Sequence, residues 1–110
     1  VTDIDEDSRL VQEEQFGPIV PILKYKDVED AILRANNTPY GLSGSVWSSD
    51  RERATKIAKR LRVGTAWVNQ HRATSAYVPF GGAKESGIGR QYSILGLKGY
   101  MEPEVLSIVK

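Results

Sequence analysis

Apolar positions along the chain switch between two periods, and each switch predicts an element. "IVPILKY", Ile19 to Tyr25, is a short apolar run bounded by Pro18 and Asp27, the pattern of a strand, with Pro21 pointing to an edge or a bulge. After Asp27, an N-cap with Asp30 three residues on, the period lengthens. Val28, Ala31, Ile32 and Ala35 recur at the i, i+3, i+4, i+7 spacing of one helical face. "NNTPYG", Asn36 to Gly41, ends that helix, because Pro39 biases Thr38 away from helical backbone angles. "GLSGSVWS", Gly41 to Ser48, reads as a second strand. Ser49 with Glu52 makes a capping box for a second helix, whose buried stripe is Ala54, Ile57, Ala58 and Leu61 and whose end is Gly64. "TAWVNQ", Thr65 to Gln70, is the third strand. A weaker helix follows in "RQYSILGLKGY", where Gly96 and Gly99 each cost about 1 kcal/mol against Ala. "EVLSIVK", Glu104 to Lys110, reads as a fourth strand.

Strand, helix, strand, helix, strand is the alternation that builds a parallel α/β sheet. A parallel sheet wants helices on both faces, and two good helices cover only part of it. The fold class expected is therefore α/β, a partial parallel sheet with flanking helices. A chain of 110 residues is the size of one domain. The incomplete cover, and Val1 where an initiator Met would stand, suggest a piece of something longer. Residues 1–14, with Asp3, Asp5, Glu6, Asp7, Glu13 and Glu14 around few apolar positions, read as a loop or a solvated edge.

Composition narrows the chemistry. Hydrophobic residues at 40% and charged ones at 26% are those of an ordinary globular protein. Fifteen Lys and Arg against fourteen Asp and Glu leave a net charge of +1, which gives no pull toward nucleic acid or anionic lipid. Arg51, Arg53, Lys56, Lys59, Arg60 and Arg62 crowd the second helix, but a charged helix face is usually a solvated one. Cysteine is absent, which removes disulfides, a thiolate zinc site and a cysteine nucleophile together, and no metal site is expected. No apolar run approaches the roughly eighteen residues of a membrane span. The acidic start is unlike a signal peptide, and the location expected is cytoplasmic.

The densest candidate is "PFGGAKESGIGRQY", Pro79 to Tyr92. Glycines beside Lys and Ser can present N–H groups to a phosphate, yet the spacing fails. A P-loop needs G-x-x-x-x-G-K-[ST], whereas Lys84 follows Ala83 and precedes Glu85. A dinucleotide turn needs G-x-G-x-x-G, and Tyr92 stands where the third glycine would be. From these residues alone the stretch is a loop whose backbone needs positive φ or close packing.

Four stretches in order, "EEQFGP" (Glu13 to Pro18), "NNTPYGL" (Asn36 to Leu42), "GTAWVN" (Gly64 to Asn69) and "PFGGAKESGIGR" (Pro79 to Arg90), resemble the C-terminal portion of the NAD(P)-dependent aldehyde dehydrogenases. The resemblance runs from Leu10 to Lys110. It implies a piece of the catalytic domain over about residues 15–100 and an oligomerisation strand over about 103–110. It also implies NAD or NADP as cofactor, an aldehyde as substrate and a homo-oligomer.

In that family the acid of the E-x-F-G-P segment hydrogen-bonds the nicotinamide ribose, and the aromatic two residues later lies against the nicotinamide end. These roles fall on Glu14 and Phe16. A carboxylate accepts from both ribose hydroxyls and a phenyl face suits a flat ring; read without the resemblance, Glu14 is a solvated acid. The resemblance makes the glycine loop a wall of the catalytic tunnel, with Phe80 lining the aldehyde pocket or, alternatively, packing in the core. "HRATSAY", His71 to Tyr77, resembles the segment that varies among members and shapes the tunnel mouth. There the Arg72 guanidinium could hold a carboxylate at the far end of a substrate, or be an exposed surface arginine. His71 is given no role.

The family attacks the aldehyde with a cysteine thiolate, uses a glutamate base and binds the dinucleotide phosphates on a separate domain, all earlier in the chain than the part matched. The reaction implied is oxidation of an aldehyde to an acid through a thiohemiacetal and hydride transfer. These 110 residues are expected to be inactive alone, with no catalytic residue among them. The alternative is an α/β self-association module without activity.

Overall fold

Arg9–Gln12 forms a single helical turn, α1, inside the stretch expected to be a loop. Arg9 and Glu13, four residues apart, hold it with two side-chain hydrogen bonds at 2.7 and 2.9 Å. The computed structural model describes residues 1–110, and they pack as two units, Val1–Thr38 and Pro39–Lys110. Length alone pointed to one domain. The division falls at Pro39, where the chain cannot continue a helix.

In the first unit, Asp27 caps the next helix as expected. Its Oδ1 accepts the Asp30 N–H at 2.9 Å, and α2 runs Val28–Asn36 with Ile32 as its buried residue. Arg34, on α2, is the polar centre of the unit. Its Nε donates to the Glu6 carboxylate at 2.8 Å, and its Nη1 to Asp30 at 3.2 Å and to the Lys24 carbonyl at 2.8 Å. One guanidinium thus ties the start of the chain, α2 and the segment before it. The hydrogen bonds it donates to Glu6 and Asp30 raise its pKa further, so it is a cation at every accessible pH.

The strand expected at Ile19 to Tyr25 does not form. Pro18 and Pro21 carry no N–H, and the segment's backbone bonds form no ladder: the Val1 ammonium donates to the Val20 carbonyl, the Ile22 N–H to the Val1 carbonyl and the Ile19 N–H to the Gly17 carbonyl, each at 2.8 Å, and the Lys24 carbonyl accepts from Arg34.

The second unit is built on a βαβ core. β1 (Ser43–Val46) and β2 (Thr65–Val68) pair in parallel with Ser43 opposite Thr65 and Val46 opposite Val68. Between them α3 (Arg51–Ala58) packs on both strands and buries Ala54 and Ala58, while Trp67 of β2 is buried to 6% exposure. Small alanines on α3 let the helix lie close to the strands. The expected α/β class with a partial parallel sheet is what forms, with two strands.

Boundaries moved where local hydrogen bonding outcompeted the pattern. Asp50, not Ser49, caps α3, its Oδ1 accepting the Arg53 N–H at 2.9 Å, and Glu52 pairs with Lys56 at 2.6 Å instead of closing a capping box. The helix stops at Ala58, six residues before Gly64. Its last turn tightens through Arg60 N–H to the Ile57 carbonyl at 2.9 Å and Leu61 N–H to the Ala58 carbonyl at 3.2 Å. Leu61 still lies over β1, where a Cβ on Gly44 would come within 2.9 Å of its Cδ1. β2 ends at Val68 because Asn69 takes a left-handed φ of 52°.

Past the glycine loop, which contains one 3-10 turn at Lys84–Ser86, the weak helix forms as α4 (Ser93–Lys98). Gly96 is buried there, and a Cβ on it would approach the Gln91 carbonyl carbon to 2.8 Å, which is why a poor helix former stands mid-helix. The strand read at Glu104 to Lys110 is absent: residues 101–110 carry no secondary structure, and Val105, Leu106, Ile108 and Val109 are exposed. An apolar run becomes a strand only beside another strand, and no other strand of this chain pairs with it.

Three glycines close the second unit. The Gly64 N–H and the Ala83 N–H both donate to the Gly41 carbonyl, at 2.9 and 2.8 Å, and a Cβ on Gly64 would fall on the Gly81 carbonyl oxygen. Gly64→Ala should therefore lose at least roughly 1–3 kcal/mol of stability, as overpacking does, and lower the unfolding midpoint. Gly17→Ala, with nothing within 4 Å of the new methyl, should leave it in place. Equal midpoints in urea unfolding of the two variants would show that the close approach does not matter.

Candidate functional site

Glu14 and Phe16 leave α1 on a chain whose alternate residues are engaged differently. Glu13 is held by Arg9, and the Gln15 Nε2 donates to the Arg9 and Glu13 carbonyls, both at 3.3 Å. Glu14 makes no hydrogen bond or ion pair, and Phe16 is 96% exposed. Side-chain bonds thus occur at 13 and 15 and not at 14 and 16. The two residues expected at the nicotinamide end are thus the two whose carboxylate and ring are uncommitted. A carboxylate with free lone pairs can accept from a vicinal diol, and an exposed phenyl can stack, so the pair fits the group expected.

The hydrogen bond from Arg9 is the main reason that Glu13 titrates below the ordinary glutamate range, with the guanidinium charge acting in the same sense and partial desolvation opposing it. A depressed folded-state pKa contributes stability that is fully present above the ordinary glutamate pKa and is lost as pH falls through the lowered value.

In the second unit Phe80 is half-buried and its backbone closes the glycine loop. Its N–H donates to the Gln91 carbonyl at 2.9 Å and its carbonyl accepts the Gln91 N–H at 2.7 Å, an antiparallel bridge. Phe80 lines a concavity of about 620 Å³ together with Leu42, Ile88, Leu95 and Tyr100 and the backbone of Gly81 and Gly82. The lining is mixed, since Ser86, Arg90 and Gln91 also border it, and the concavity is open to solvent.

Within the loop, polar groups turn inward. The Gly41 N–H donates to Ser86 Oγ at 2.8 Å, the Glu85 N–H to the Pro39 carbonyl at 3.0 Å, and Arg90 Nη1 to the Gly82 and Gly89 carbonyls at 2.9 and 2.7 Å. Gly82 has no room for a Cβ against Ser86, and Gly89 has a φ of 77°. The glycines serve close packing and a left-handed turn.

Arg72 is exposed, has a φ of 58° and makes no hydrogen bond or ion pair. It does not line the concavity beside Phe80, so the structure leaves these two expected pocket residues apart. Its neighbours, by contrast, are anchored. The Trp67 Nε1–H donates to the Ala73 carbonyl at 3.0 Å, and His71 lies edge-on to Trp67 with its Nδ1 3.2 Å from Ser45 Oγ. Reading the sequence left Ser45, Trp67 and His71 without a site role, and with Ser45 and His71 26 positions apart no local signal joins them.

The chain matches the aldehyde dehydrogenase family over residues 1–106, and it belongs to that family. An aldehyde dehydrogenase of Aspergillus niger is 46% identical over 101 residues, 92% of this chain and 20% of the relative. Betaine aldehyde dehydrogenase of Staphylococcus aureus, solved in complex with NAD+, is 42% identical with a TM-score of 0.85 over 90% of this chain and 20% of that one. An aldehyde dehydrogenase of Mycobacterium tuberculosis complexed with NAD+ is 43% identical, again at a TM-score of 0.85, over 89% and 20%. The chain therefore spans about a fifth of the length of these relatives. No helix is long and apolar enough to cross a membrane.

The Arg9–Glu13 pair predicts a pH effect at this site. The NMR titration of Glu13 should fall below the ordinary glutamate range in the parent chain and return toward it in Arg9→Ala. Identical titrations would mean that the pair does not form in solution.

Proposed function

We propose that this chain is the C-terminal portion of an NAD(P)-dependent aldehyde dehydrogenase that oxidises an aldehyde to a carboxylic acid. The observation that carries the reading is the uncommitted pair Glu14 and Phe16, in a chain of the family whose solved relatives hold NAD+. In this reading Glu14 accepts hydrogen bonds from the nicotinamide ribose and Phe16 supports the ring, which fixes the orientation of the cofactor. A nicotinamide held by Glu14 and Phe16 would supply the hydride acceptor for the oxidation. Phe80 supplies an apolar contact beside the glycine loop that helps to position the aldehyde chain. Arg72, a free guanidinium, holds a carboxylate at the far end of the substrate. The nucleophile and base come from sequence outside these residues, so the 110-residue chain alone is inactive. We further place the enzyme in the cytoplasm.

A second reading, self-association without catalysis, is favoured by the exposed Val105, Leu106, Ile108 and Val109. Such a run can pair with its copy in another subunit, which makes the enzyme a homo-oligomer and leaves the chain alone sticky. Sedimentation that shows one monomeric mass at every concentration would remove this reading.

The catalytic reading is tested in the complete enzyme. A charge-assisted hydrogen bond contributes about 1.5–3 kcal/mol, so Glu14→Gln should raise the KM for the cofactor at least about tenfold. Arg72→Ala should raise the KM for succinic semialdehyde about tenfold more than that for a neutral aldehyde of similar length. The 110-residue chain by itself should produce no NADH from any aldehyde. NADH from the purified chain, or a cofactor KM indifferent to Glu14, would overturn the assignment.

A further inference from the structure

The backbone around Arg72 is held from three sides while its guanidinium is left free. Before it, Asn69 at the end of β2 exchanges two hydrogen bonds with the backbone of Ser48, Oδ1 accepting its N–H and Nδ2 donating to its carbonyl, each at 2.8 Å. Immediately before it, the His71 ring stands edge-on to Trp67, centroids 5.5 Å apart at 77°, with Nδ1 3.2 Å from Ser45 Oγ on β1. Immediately after it, the Ala73 carbonyl accepts the Trp67 Nε1–H at 3.0 Å. Trp67 is one of the few buried side chains of the unit, so two of these anchors start from a fixed base.

Asn69 and Arg72 both adopt left-handed φ, 52° and 58°. Arginine has no intrinsic preference for that region, so the anchors on either side impose it. A long cation in a strained, pinned backbone, with no bond to its own chain, is arranged to present charge outward.

We propose that Ser45, Trp67 and His71 are positioning residues that fix where Arg72 presents its guanidinium, and thereby set the preference for aldehydes that end in a carboxylate. The inference rests on the role given to Arg72 above. It does not make any of the three a catalytic residue. Their effect passes through the backbone of residues 71–73, so it should appear in local opening and in substrate preference, not in the chemical step.

Both consequences are measurable in the complete enzyme. Trypsin cleaves after Arg72 only when that segment opens, so mass-spectrometric counting of the Arg72–Ala73 cut reports the anchoring directly. His71→Ala and Ser45→Ala should speed this cut about tenfold at an unchanged unfolding midpoint, while His71→Phe, which keeps the ring edge on Trp67, should fall between. In His71→Ala the KM for succinic semialdehyde should rise about threefold more than that for a neutral aldehyde, in line with the sensitivity of binding to small misplacements. The kcat for both should move together. An unchanged rate of cleavage in His71→Ala and Ser45→Ala overturns the anchoring. Faster cleavage without a change in substrate preference, where Arg72→Ala does change it, overturns the link to selectivity. If Arg72→Ala itself changes no preference, the reading of Arg72 falls and takes the selectivity claim with it, and the anchoring is then judged by cleavage alone.

Discussion

The second unit depends on a backbone contact that only glycine permits. Gly41, Gly64 and Gly81 approach so closely that the Gly41 carbonyl accepts two N–H groups and Gly64 has no space for a Cβ. Through that contact the chain entering β1, the chain entering β2 and the loop carrying Phe80 meet at one place. Ser86 adds a side-chain bond to the Gly41 N–H, so the same residue is held at both its donor and its acceptor. Few side chains are buried in this unit, only Ala54, Ala58 and Trp67, and apolar burial contributes correspondingly little to fixing the loop. Main-chain hydrogen bonds and close packing of glycine backbones carry that task instead.

This division separates two kinds of residue that a motif mixes together. In "PFGGAKESGIGR" the glycines, Ser86 and Arg90 are committed to the loop's own geometry, and Phe80 alone presents a large apolar side chain beside the glycine backbone at its near end. In "EEQFGP" Glu13 and Gln15 turn to α1 while Glu14 and Phe16 do not. Adjacent acids of identical chemistry therefore differ in availability, and the difference comes from a guanidinium four residues back in the helix. A polar residue without an intrachain partner is not by itself a binding residue. Its alternation with committed neighbours, in a chain of this family, gives the reading its weight.

Legibility in the sequence followed how local the deciding interaction was. Asp27 and the stripe of α2 were readable because cap and period lie within nine residues. The βαβ order was readable from Gly41 to Gln70, since each element there has its own period and its own punctuation. The cap of α3 was misread by one position because Ser49 and Asp50 both suit it, and only the folded backbone selects Asp50. The runs at Ile19 to Tyr25 and Glu104 to Lys110 have strand composition, but a strand is defined by a partner that composition does not contain. Phe80 could be singled out through a motif. The set Ser45, Trp67 and His71 could not, because the fold assembles it across the sheet.

A parallel sheet of two strands leaves one edge of each strand unpaired, and Phe16, Trp47, Ile88 and Tyr100 are exposed together with the run after Glu104. Contiguous exposed apolar surface marks a face that another surface or a ligand covers. The surface divides by position. Residues beside the glycine loop border a concavity of mixed lining, whereas the exposed apolar residues from Val105 onward lie in a segment without secondary structure. Glu14 and Arg72 sit in neither class. In each case the neighbouring residues are bonded, Glu13 and Gln15 beside Glu14 and His71 and Ala73 beside Arg72, while the residue's own side chain is left without a partner; where a scaffold orders a group beforehand, binding does not bear that entropy.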